Sequence, residues 1–72
     1  MGFYRLIRHA GFEPEALHAL ARAYEGVLID LKLKNGDPLT EVVAKKIFDY
    51  AKHGELDAIR LRQIVRDEIR ER

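Results

Sequence analysis

What most limits the fold of this chain is the spacing of its apolar residues, which recur every three or four positions and are interrupted at Gly11, at Asp37-Pro38 and at Gly54. That spacing gathers apolar side chains on one face of an α-helix, whose repeat is about 3.6 residues. Runs of alternating or β-branched residues are scarce, so no strand is expected. The pattern predicts an all-α fold, a small bundle of three main helices with a short N-terminal helix or arm, forming one domain over residues 1–72. A hydrophobic content of 47% supports a packed core rather than disorder. A chain this short buries only about 60% of the surface it exposes when unfolded, so self-association would widen a thin stability margin.

The breaks divide the chain into four segments. Over residues 1–11, Phe3, Leu6, Ile7 and Ala10 form one short stripe that Gly11 can close by adopting a left-handed conformation. A segment of that length is marginal alone, so it is read either as a short helix or as an arm that orders against a partner. The second segment, 13–34, opens at Glu13-Pro14 with proline in the first turn, carries Leu17, Leu20, Ala21, Tyr24, Val27, Leu28 and Leu31 as its main stripe, and stops at Asn35-Gly36. The third, 38–52, is opened by Asp37 as cap and Pro38 in the first position, with Leu39, Val42, Val43, Ile47, Tyr50 and Ala51 on one broad face. Gly54 ends it, Asp57 caps the last helix over 58–71, and Ala58, Leu61, Ile64, Val65 and Ile69 face inward there. Short connections make consecutive helices packed neighbours.

Parts for catalysis are scarce. His9, His18 and His53 share no i, i+3 or i+4 spacing that would aim two of them at one metal ion. His9 and His53 fall at helix ends, where a cation near the last carbonyls is favourable. Serine and cysteine are absent, and the lone threonine, Thr40, sits in a first helical turn where hydroxyls serve the backbone. Neighbouring carboxylates such as Asp67-Glu68 point apart on a helix. The five glycines are isolated, so no phosphate-cradling loop exists. The expectation is a protein that is not an enzyme, with no catalytic residue, no metal and no cofactor. Absence of cysteine fits a reducing, cytoplasmic setting, and Arg5, Arg8 and His9 interrupt the apolar run a signal peptide would need. No segment approaches the roughly 20 apolar residues of a membrane span. A formal charge of +1 gives no global attraction for nucleic acid or membranes.

Two narrow faces are left over. Ala16, Ala19, Ala23 and Gly26 form a small-residue strip on the long helix, suited either to packing against the N-terminal segment or to close approach by a second chain. Gly26 costs about 1 kcal/mol against alanine in a helix interior, and close packing is a reason to retain it. Ile29, Phe48 and Ile59 lie off the main faces and add to the case for a partner surface. On the last helix, Arg62, Arg66 and Arg70 make a basic stripe, interleaved with Asp67, Glu68 and Glu71, which repel phosphate. The leading expectation is therefore a protein-protein interaction module that homo-oligomerises or docks to a larger protein, with Phe3, Leu6, Ala19, Ala23, Tyr24, Gly26 and Tyr50 as contact candidates. The alternative is a small nucleic-acid-binding domain using Arg62, Arg66 and Arg70.

Phe12-Glu13-Pro14-Glu15 opening a helix with Leu17, Leu20, Ala23 and Tyr24, followed by Ala44, Ile47, Ala51 and Gly54-Glu55-Leu56-Asp57, resembles a family of small uncharacterised helical proteins of alphaproteobacteria. The likeness covers about four fifths of the chain. It implies a helical fold and brings no catalytic or binding residues with it, since the matching positions are caps and core.

Overall fold

A computed structural model describes Arg5 and residues 10–71. Over these the chain is a small all-α bundle of three helices, α1 (Pro14–Asp30), α2 (Leu39–Lys52) and α3 (Ala58–Arg70), each packed against the other two. The helix or arm expected over residues 1–11 lies outside the described residues, apart from Arg5, Ala10 and Gly11. Gly11 has a φ of +85°, the left-handed conformation foreseen for it.

Local chemistry sets most of the boundaries. Glu13 is extended and its carbonyl accepts from Leu17 N–H at 2.9 Å, so Pro14 enters α1 where a missing N–H costs nothing. Asp37 opens α2, accepting from Leu39 N–H at 2.9 Å, while Thr40 Oγ1 donates to the Asp37 carbonyl at 2.8 Å. Asp57 opens α3 by accepting from Ile59 and Arg60 N–H at 2.9 and 3.1 Å. At the end of α2, Gly54 takes a φ of +100° while its N–H reaches the Ala51 carbonyl and that of Glu55 reaches Tyr50, at 3.0 and 3.1 Å. His53 Nδ1 lies 2.8 Å from the Asp49 carbonyl, a helix-end role.

The end of α1 departs from the sequence expectation. It stops at Asp30, four residues short of Lys34 and five before Asn35. Lys32 adopts a φ of +57°, its N–H donates to the Ile29 carbonyl at 3.1 Å, and Leu33 N–H donates to Leu28 at 2.9 Å. These two bonds are the same closure that ends α2, with lysine where glycine is usual. The closure turns Leu33 back against the core instead of carrying it past the end of the bundle. A left-handed conformation costs a residue with a Cβ roughly 1–2 kcal/mol. Lys32→Gly is therefore expected to stabilise the fold by roughly 0.5–1 kcal/mol after the added freedom of the unfolded chain is deducted, as read from urea unfolding with Lys32→Ala as the unstabilised control.

The core is Leu20, Ala23 and Val27 from α1, Val43, Ile47 and Ala51 from α2, and Leu61, Val65 and Ile69 from α3. The residues of α2 and α3 stand at every fourth position, the ridges by which helices interlock. The face of α1 is rotated from its bulky stripe toward the small residues: Ala23 and Gly26 are buried, whereas Leu17, Tyr24, Leu28 and Leu31 are half-buried. Leu39, expected inside, is 37% exposed at the first turn of α2. Phe48, expected at the surface, is half-covered: Phe12 meets its ring edge-on at 6.2 Å and Lys52 Nζ stands 5.2 Å from its centroid. No helix among the described residues is long and apolar enough to cross a membrane.

Candidate functional site

The two narrow faces found in the sequence meet each other. Because Leu61, Val65 and Ile69 point into the core, Arg62, Arg66 and Arg70, one residue further on, lie along the rim of α3 that borders α1. There they converge on one residue, Asp30, two on its carboxylate and one on its carbonyl. Arg62 donates from Nε to Asp30 Oδ2 and from Nη2 to Oδ1, both at 2.8 Å, a two-pronged pairing. Arg66 Nη1 stands 3.7 Å from Oδ2, and Arg70 Nη2 reaches the Asp30 carbonyl at 3.5 Å.

Gly26 makes room for this arrangement. A Cβ placed on it would fall 2.6 Å from Arg62 Cδ and 2.8 Å from Nε, so the arginine crosses α1 over the bare glycine on its way to Asp30. At Ala23 and Gly26 the small-residue strip thus serves packing inside the described bundle, with Arg62 of α3 lying over Gly26. Ala23 and Gly26 are buried there and are not available to a second chain.

Asp30 was not singled out by the sequence reading, although a signal was present. An acidic residue in the last turn of a helix faces the negative end of the helix dipole, and α1 has no basic residue in that turn. Such a residue requires cations from elsewhere, and α3 supplies three. The hydrogen bonds from Arg62 hold the Asp30 carboxyl below its ordinary pKa, opposed by desolvation and assisted by the charges of Arg62, Arg66 and Arg70. The same pairing raises Arg62. Since folding lowers the pKa of Asp30, its stabilisation is complete above the unfolded value and is lost as pH falls from about 4 through the folded value. Asp30→Asn is expected to weaken the fold at neutral pH and to shrink its difference from the wild type progressively below pH 4, as followed by urea midpoints across the acid range.

The remaining candidates are scattered. Phe3 and Leu6 lie outside the described residues. Ala19, Tyr24 and Tyr50 are half-buried on separate faces, and His18 is exposed on α1. Lys46 Nζ and Glu68 Oε1, 2.9 Å apart, join α2 to α3, and Arg60 pairs with Glu55 at 3.1 Å. Among the described residues no three His, Cys, Asp or Glu side chains are placed to hold a metal ion. The depressions beside Phe12, Ala16 and Leu56 and between Lys46, Tyr50 and Glu68 are open to solvent. Ile29 and Ile59, by contrast, stand 71% exposed.

Comparison with protein families, curated proteins and solved structures finds no match to this chain.

Proposed function

We propose that this protein is a non-catalytic interaction module that associates with a second copy of itself through outward-facing helix surfaces, in a reducing, cytoplasmic setting that suits its cysteine-free sequence. The observation that carries this reading is the pair Ile29 and Ile59, large apolar side chains 71% exposed on α1 and α3. A domain of this size gains from covering them, because its own core is small. Nucleic-acid binding is the weaker reading, since Arg62 and Arg66 are already turned toward Asp30 and a phosphate would have to displace them.

Light scattering across a concentration series tests the proposal. The mass is expected to rise from the 8.3 kDa of one chain toward twice that value. The double variant Ile29→Lys/Ile59→Lys is expected to hold the monomer mass with unchanged helical circular dichroism, because neither side chain contributes to the core. A wild-type mass that stays monomeric into the millimolar range overturns the reading.

A further inference from the structure

Resting on the self-association just proposed, we infer that the outer face of α1 pairs antiparallel with α1 of a second copy about a two-fold axis passing between Ala23 and Tyr24. Glu15, His18, Arg22, Glu25 and Ile29 are all exposed and follow one another at intervals of three and four residues, the seam of a two-helix contact. Lys32, also exposed, lies two residues past the end of α1, where the chain has left the helix.

The charges on this seam complement their own reverse. In the stated register Arg22 meets the partner subunit's Glu25, and His18 covers the partner subunit's Ile29. The two-fold repeats each pairing, so every charged contact joins opposite signs and the most exposed apolar residue of α1 is covered. Other alignments fail on charge. A parallel pair sets Arg22 against Arg22 and Glu25 against Glu25. Sliding the antiparallel pair by one heptad in one direction sets Glu15 against Glu25 and Arg22 against His18, and in the other sets Glu25 against Ile29 and carries Arg22 past the end of the partner helix. Like charges in direct opposition disfavour the parallel pair and the first slide, and the second slide forfeits both Arg22–Glu25 pairings. The occupant is therefore a second copy of this chain, held weakly by a contact below the roughly 1,200 Å² of a standard stable interface and loosened by salt.

Arg22 and Glu25 also neighbour each other within one helix, so the test must separate contacts between copies from contacts within one. Arg22→Glu gives a chain with two acidic residues at the centre of the seam, and Glu25→Arg gives one with two basic residues. By sedimentation equilibrium, each variant alone is expected to associate at least about tenfold more weakly than the wild type, while their equimolar mixture recovers association. Both changes lie on the solvent face of α1, and circular dichroism verifies that each variant folds. Association of the single variants as strong as the wild type, or a mixture no better than its components, overturns the α1 pairing and leaves self-association standing. Loss of association on Ile59→Lys with none on Arg22→Glu likewise moves the contact to α3 and overturns it. A wild type that is monomeric throughout overturns both readings.

Discussion

Truncating Leu61 to alanine is expected to leave the native state only marginally populated at room temperature. Leu61 is fully buried at the N-terminal end of the α3 ridge, packed in one cluster with Leu20, Val27, Val43, Ile47 and Val65. Removing its isobutyl group from such a site costs about 2–5 kcal/mol, part lost transfer energy and part unfilled cavity. Single cores in chains below about 70–80 residues rarely supply more than about 3–5 kcal/mol in total, so the loss is comparable to the whole margin. Urea unfolding followed by circular dichroism should show a truncated or absent folded baseline for Leu61→Ala. Ile29→Ala, at an exposed site on α1, is the control and should move stability by no more than about 0.5 kcal/mol in the monomer.

Gly26→Leu is expected to destabilise the fold by about 1–3 kcal/mol, the usual cost of overfilling a packed contact. Even a single Cβ there meets Arg62 at 2.6 Å, and Arg62 is held in place by its two bonds to Asp30. Gly26→Ala should be close to neutral, because a gain of about 1 kcal/mol in helix propensity is set against displacement of the guanidinium. Leucine adds bulk that moving one side chain cannot absorb. If Arg62 is what fills the space, the penalty for Gly26→Leu shrinks in an Arg62→Ala background, and a double-mutant cycle reads that coupling directly. Equal penalties in both backgrounds would mean that the α1–α3 contact is limited elsewhere.

Where residue type dictates backbone conformation, the fold was legible in advance. The carboxylates of Asp37 and Asp57, the fixed φ of Pro14, and the left-handed glycines Gly11 and Gly54 act through bonds within a few residues, and each stands in the role its chemistry suggests, whereas Pro38 stands at the cap and α2 starts one residue later than expected, at Leu39. The end of α1 was not legible in that way. Lysine has no preference for a positive φ, and Lys32 adopts one because the chain must return Leu33 to the core, a tertiary demand. Side-chain size alone misplaces the core. A stripe of bulky residues marks where apolar area is greatest, but close approach of α3 occurs where α1 is thin, and this draws Ala23 and Gly26 inside and leaves Leu17 and Leu28 at the margin. The arginine stripe was visible as a pattern without its counterpart, because Asp30 lies 32 residues from Arg62 and only packing brings them together.

With Asp30 engaged by the arginines and Gly26 covered by Arg62, self-association rests on the outer charged face of α1 with Ile29 and on Ile59 of α3, which stand exposed. A dilution series followed by amide NMR tests this most directly. Concentration-dependent shifts are expected at Glu15, His18, Arg22, Glu25 and Ile29, with the buried amides of Val43, Ile47 and Val65 unmoved. A spectrum unchanged from micromolar to millimolar concentration would contradict self-association, and shifts confined to α2 or α3 would contradict its placement on α1.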